Sequence, residues 1–141
     1  MKKMLIINGP NLNMLGQREP EVYGKDTLDD LKKITEAKIQ NQVELEWYQS
    51  NLEGELVSRI QKAHSEDYMA LIINPGGYAH TSVAIHDALK ILKIPVIEVH
   101  LSQVYKREEF RHTLLTAKAA TAIMSGFGKQ TYYIAINSQL Q

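Results

Sequence analysis

Residues 69–102 read MALIINPGGYAHTSVAIHDALKILKIPVIEVHLS. The stretch opens on an apolar run at 69–74 and closes on another at 95–100, which Pro95 begins. Between them come a glycine-rich turn and an amphipathic segment with Ala84, Ile85, Ala88, Leu89 and Leu92 near helical spacing. Thr81 or Ser82 stands where a helix N-cap is wanted. Two short strands joined by a helix of this length are expected to lie parallel, with a right-handed crossover.

The same alternation continues on both sides. KMLII at 3–7, VELEWY at 43–48 and AATAIM at 119–124 bring the strands to five. TLDDLKKITEAKI sets Leu28, Leu31, Ile34 and Ile39 on one helical face behind a Thr27 cap, and EGELVSRIQKAH does likewise with Leu56, Ile60 and Ala63. This pattern predicts an α/β fold, a doubly wound five-stranded parallel sheet with helices on both faces. No repeat, low-complexity tract or linker divides the 141 residues, so a single domain over 1–141 is expected. Its longest irregular piece is GPNLNMLGQREPEVYGKD at 9–26, polar and holding two prolines and three glycines, and it reads as an active-site lid.

Composition narrows the function classes. A chain of 141 residues buries about two-thirds of its unfolded surface, enough for a core without disulfides or a structural metal. Zero cysteines exclude a disulfide scaffold, a thiolate zinc site, a cysteine-held iron–sulfur cluster and a cysteine nucleophile. Sixteen Lys and Arg balance sixteen Asp and Glu, which leaves no basic field for a nucleic acid. The apolar stretch at 4–7 is far too short for a signal-peptide core, and no run spans a bilayer, so a cytoplasmic protein without membrane contact is expected.

In open doubly wound sheets the ligand sits beyond the carboxyl ends of the strands. Those ends are polar here: Asn8-Gly9-Pro10-Asn11 after the first, Asn74-Pro75-Gly76-Gly77-Tyr78-Ala79-His80 after the third, and Glu98, His100 and Ser102 along the fourth. Glu98, His100 and Ser102 alternate with Ile97, Val99 and Leu101 and so share a face. Two readings stand side by side: a histidine general acid oriented by a carboxylate, or a hydrogen-bonded structural trio. The Gly-Pro-Asn and Asn-Pro-Gly-Gly strings are either plain tight turns or backbone N–H cradles for a small oxygen-rich anion. Arg107 and Arg111 in YKREEFR are four apart, placed on one helical face to meet a ligand, a neighbouring subunit or solvent.

Several chemistries drop out. GFGKQT at 126–131 lacks the third glycine of a dinucleotide fingerprint and follows the last strand rather than the first. No phosphate-binding P-loop, nucleophile elbow or HExxH string occurs. The histidines at 64, 80, 86, 100 and 112 include no pair three or four apart, so no metal site is expected. A phosphoacceptor domain would want an acidic pocket, but the first and third strands end in Asn8 and Asn74.

NGPNLNMLGQREPEVYG at 8–24, QSNLEG at 49–54, INPGGYAHTSVAIHDAL at 73–89, and EVHLS at 98–102 followed by REEFR at 107–111 together resemble the type II 3-dehydroquinate dehydratases. The resemblance spans nearly the whole chain. It implies a flavodoxin-like fold, a cofactor-free lyase converting 3-dehydroquinate to 3-dehydroshikimate and water, and a dodecamer of four trimers. By the same resemblance Tyr23 is the base that takes a proton alpha to the substrate ketone, and Arg18 is its activator. A tyrosine ionised near neutrality needs a shift of about three units from its ordinary pKa of about 10, or roughly 4 kcal/mol in favour of tyrosinate, and a guanidinium is a fitting source. Asn11 then helps hold a water on the enolate oxygen, with the Pro10 carbonyl and the backbone of 77–79 nearby. His100 protonates the departing hydroxyl, oriented by Glu98 and assisted by Asn74. Asn74, Ser102 and the Leu101 N–H hold the substrate carboxylate, His80 and Arg111 meet the ring hydroxyls, and Asp87 reaches an adjacent subunit's site, pairing with Arg107.

The chain departs from the family pattern at Gln103, along 112–116 (HTLLT) and at GFGKQTY. These departures are expected to touch peripheral or subunit contacts rather than the chemistry. Two other functions remain open on the sequence: a flavin- or nucleotide-binding module, which this architecture often hosts, and a scaffold that binds a cyclohexane carboxylate without turning it over.

Overall fold

In the computed structural model the described residues are 1–17 and 19–140; Arg18, Gln141 and the side chain of Tyr23 lie outside them. Five strands, β1 (Lys3–Asn8), β2 (Glu44–Gln49), β3 (Ala70–Asn74), β4 (Val96–His100) and β5 (Ala122–Ser125), form one parallel sheet in the order β2-β1-β3-β4-β5. That order is the flavodoxin-like one, and its reversal point lies between β1 and β3.

Alternation along the strands divides the core in two. Met4, Ile6, Ile72, Ile97 and Val99 face the helices α2 (Leu28–Ile39) and α5 (Thr131–Ser138), meeting Leu31, Ile39, Tyr132 and Ile136. Leu5, Ile7, Leu71, Ile73 and Val96 face α3 (Glu53–His64) and α4 (Val83–Ile91), meeting Leu56, Ile60, Ile85 and Leu89. β1, β3 and β4 are buried on both faces; β1 and β3 accordingly run apolar, whereas β4 carries the buried Glu98 and His100 among its apolar residues. Thr27 and Ser82 are the caps: Thr27 closes a capping box with Asp30, and the Ser82 hydroxyl accepts from the Ile85 N–H.

The structure departs from the sequence expectation in three places. No α-helix joins β4 to β5; the connection is three 3-10 turns, Val104–Lys106, Glu109–Arg111 and Thr116–Ala119. Arg107 and Arg111 therefore do not share a helical face, because Glu108 with ψ 147° is extended between the first two turns. The fifth strand is short, Ala122–Ser125, since β5 pairs on one side only and residues 116–119 coil back toward β4. Finally, α5 follows β5 unannounced, because TYYIAINS is rich in aromatic and β-branched residues and lacks an amphipathic stripe.

Within 9–26 the chain makes a 3-10 turn at Leu12–Met14 and one turn of helix, α1, at Pro20–Tyr23. Leu12 and Leu15 are buried in the core, so the first third of this loop is anchored.

Candidate active site

β1 and β3 end in the paired asparagines Asn8 and Asn74. Both are buried, and one phenol serves both: the Tyr132 hydroxyl donates to Asn8 Oδ1 and accepts from Asn74 Nδ2 at 3.3 Å. Asn74 Oδ1 also accepts the Gly76 N–H at 3.2 Å, which fixes both ends of its carboxamide. Burial raises the Tyr132 pKa well above the tyrosine range, keeping the phenol a donor. Beyond the strands the two loops touch. A Cβ on Gly9 would lie 2.4 Å from the Pro75 carbonyl oxygen, so only glycine lets the loops meet.

Asn11 takes a left-handed backbone, φ 69°. Its N–H donates to Asn51 Oδ1 at 2.9 Å, while Gln49 Nε2 holds the Gly9 carbonyl at 3.1 Å and Asn51 Oδ1 at 3.2 Å. The QSN string at the end of β2 thus clamps the turn after β1.

On β4, Glu98 is 0% exposed and His100 6%. Glu98 Oε2 lies 2.7 Å from His100 Nε2, and Glu98 Oε1 accepts a hydrogen bond from the Thr116 hydroxyl. A buried carboxylate with this pair of partners favours a proton on Nε2, which leaves Nδ1 for a ligand. The His80 ring stacks on His100, centroids 6.2 Å apart, and its Nδ1 pairs with the Thr113 carbonyl at 2.9 Å. Burial lowers the His80 pKa below its ordinary value, and the nearby His100 and Arg111 push it the same way against the Thr113 hydrogen bond.

These groups surround a cavity of about 150 Å³ at the carboxyl ends of β1, β3 and β4. Asn11, Asn74, His80 and His100 line it together with Leu101, Ser102, Arg107 and Arg111. Among the described residues two guanidiniums line the cavity and no carboxylate does, an environment made for an anion. Arg111 Nε holds Glu108 Oε2 at 3.0 Å and pulls that carboxyl below its usual range. Arg107 pairs with Glu19 at 3.3 Å and Glu108 at 3.7 Å.

The family model described as Dehydroquinase class II matches residues 2–140. The chain belongs to the class II dehydroquinases. A 3-dehydroquinate dehydratase of Caldicellulosiruptor bescii is 51% identical over 96% of this chain and 94% of its own length. Another, of Nitrobacter winogradskyi, is 49% identical over 96% of this chain and 88% of its own. Among solved structures, the type II dehydroquinase of Butyrivibrio crossotus superimposes with a TM-score of 0.96 at 41% identity, covering 99% of this chain and 98% of that one.

Of the family residues anticipated from sequence, eight meet at this cavity and Glu98 stands directly behind it. Asp87 does not line it; within this chain its carboxylate meets His86 Nδ1 at 2.8 Å on α4. Arg18 and the Tyr23 side chain lie outside the described residues. Sequence reasoning passed over Tyr132, Asn51 and Thr116. Tyr132 lies in the GFGKQTY string and Asn51 in QSNLEG, so each had a motif but no partner to give it meaning. The HTLLT segment, expected at the periphery, instead supplies a partner of His80 through the Thr113 carbonyl and a partner of Glu98, the carboxylate that holds His100, through Thr116.

Proposed function

We propose that this chain dehydrates 3-dehydroquinate to 3-dehydroshikimate and water through an enolate, without a cofactor. The observation that carries the reading is the convergence of Asn11, Asn74, His80, His100, Ser102 and Arg111 on one anion-favouring cavity in a chain of this family.

The substrate carboxylate is held by Asn74, Ser102 and the Leu101 N–H, while His80 and Arg111 take the ring hydroxyls. Tyr23, as tyrosinate beside Arg18, removes the proton alpha to the ketone. Segment 16–26 closes over the substrate and excludes water. The charge that develops on the ketone oxygen needs preorganised donors, and a water held by Asn11 and the Pro10 carbonyl supplies one. The left-handed, clamped backbone at Asn11 supports that role by fixing the point from which its side chain leaves the chain at the cavity. His100, as imidazolium, gives its proton to the leaving hydroxyl, which departs as water. Glu98 stabilises the cation and fixes its ring. The proton gained by Tyr23 and the one lost by His100 are exchanged with solvent before the next turnover.

Asp87 completes a neighbouring site, near Arg107 of that subunit, in a dodecamer of four trimers. Exposed apolar groups support such assembly: Ile123 on the open edge strand β5, and Phe110 in the turn beside Arg111. Among the described residues no helix is long and apolar enough to cross a membrane, in keeping with a cytoplasmic role. The test is conversion of 3-dehydroquinate by chelator-treated protein, followed by the ultraviolet absorbance of the conjugated product.

A further inference from the structure

Thr116 sits in the connection between β4 and β5 and is fully buried. Its hydroxyl donates to Glu98 Oε1, the carboxylate oxygen that His100 does not use. A carboxylate taken from water into the core is stable only when both oxygens find partners. With one oxygen on His100 and the other on Thr116, the carboxylate plane is held by two bonds from different elements and cannot swing away from the imidazole. Along the same segment, the Thr113 carbonyl holds His80 Nδ1, and His112 Nε2 lies 3.1 Å from the Arg107 carbonyl. The residues of 112–116 thereby brace three of the side chains or loops that line the cavity.

We infer that Thr116 is a positioning residue for the general acid: its hydroxyl locks the Glu98 carboxylate so that His100 presents Nδ1 to the leaving hydroxyl. The inference rests on the dehydratase reading of the site and deepens it. Thr116 touches neither substrate nor His100; it acts through Glu98. A misdirected donor slows proton transfer without releasing the substrate, because the groups assigned to grip the substrate are left intact.

The hydroxyl is separated from the bulk of the side chain by two substitutions. Thr116→Val keeps the shape and removes the donor, whereas Thr116→Ser keeps the donor and removes a methyl. In the dehydration assay Thr116→Val is expected to lower kcat by on the order of tenfold to a hundredfold with KM changed less than about threefold, and Thr116→Ser to stay within about threefold of the parent. A readout independent of turnover is the downfield Nε2–H proton resonance of His100, sheltered by its bond to Glu98. It is expected in the parent and in Thr116→Ser, and lost to exchange in Thr116→Val. Should the valine variant fail to fold, Thr116→Ala, which also leaves no donor, replaces it, with the same fall in kcat and loss of the resonance expected. A hydroxyl-free variant with parental kcat and an intact resonance would overturn the inference, as would a serine variant as slow as the valine one. A parent that shows the resonance and its loss in the valine variant, yet fails to dehydrate 3-dehydroquinate, would overturn the reading of the site and leave the Thr116–Glu98–His100 relay standing.

Discussion

Replacing Tyr132 by Phe removes one oxygen atom and strands two buried amides. The ring keeps its place, including the edge contact with Trp47 at a centroid distance of 5.5 Å. Asn8 Oδ1 loses its donor and Asn74 Nδ2 its acceptor, while Asn74 Oδ1 keeps the Gly76 N–H. Each stranded buried group costs about 1–3 kcal/mol, and relief from burying the phenol oxygen offsets part of the sum, which leaves a net loss of about 2–3 kcal/mol. For 141 residues the unfolding entropy is about 0.3 kcal/mol/K, so Tm falls by about 7–10 °C at neutral pH. The pH dependence supplies an independent check. Folding raises the Tyr132 pKa, so the stability this group contributes is complete below about pH 10 and is lost as pH rises above it, while the unfolded phenol ionises and the buried one does not. At pH 11 the parent has lost about 1.4 kcal/mol in this way and the phenylalanine variant nothing, so the gap between them narrows. The assay is thermal unfolding of both proteins at one fixed protein concentration, at pH 8 and pH 11. A difference below about 2 °C at pH 8, or a gap equally wide at pH 11, would refute the bridging role of the phenol.

Three further outcomes follow from the proposed chemistry and the local electrostatics. Tyr23→Phe nearly abolishes turnover while substrate-analogue binding persists by calorimetry; a variant retaining most of its rate would remove Tyr23 as the base. Arg18→Ala depresses turnover and moves its pH dependence upward, since tyrosinate then forms at higher pH, and an unmoved profile in a pH–rate series would count against activation by Arg18. His80 titrates below its ordinary value of 6.5, because burial disfavours its cation. The fold favours its neutral form, so the stability it contributes is present above that value and lost as pH falls below it. An imidazole NMR titration with its midpoint at or above 6.5 contradicts this.

How far the sequence could be read depended on whether a residue's meaning is local. The strands β1 and β3 were legible because burial on both faces makes each a short, nearly continuous apolar run, and β4 because Pro95 opens it and β-branched Val96, Ile97 and Val99 carry it past Glu98. The cap Thr27 was legible, and Ser82 was one of two adjacent candidates with Thr81, because capping is settled within three residues. Asn11, Asn74, His100 and Ser102 stood out because strand ends are where doubly wound sheets bind ligands, and the family strings sharpened that expectation. Tyr132 was hidden because its partners are Asn8 and Asn74, at the far end of the chain and in its middle. Thr116 was hidden for a related reason: it reaches Glu98 only because the β4–β5 connection coils into 3-10 turns, a geometry that leaves no hydrophobic period in the sequence. Arg107 and Arg111 both line the cavity, by way of two separate turns rather than one helical face, because the extended Glu108 between those turns leaves no helical period to read.

The most direct measurement is turnover of 3-dehydroquinate by the purified parent chain after chelator treatment, followed by product absorbance, with His100→Ala assayed beside it. The expected result is rapid metal-independent dehydration by the parent and a loss of on the order of a hundredfold to ten-thousandfold in the variant, the worth of a general acid. No turnover by folded parent protein, or a His100→Ala variant as fast as the parent, would contradict the proposed chemistry.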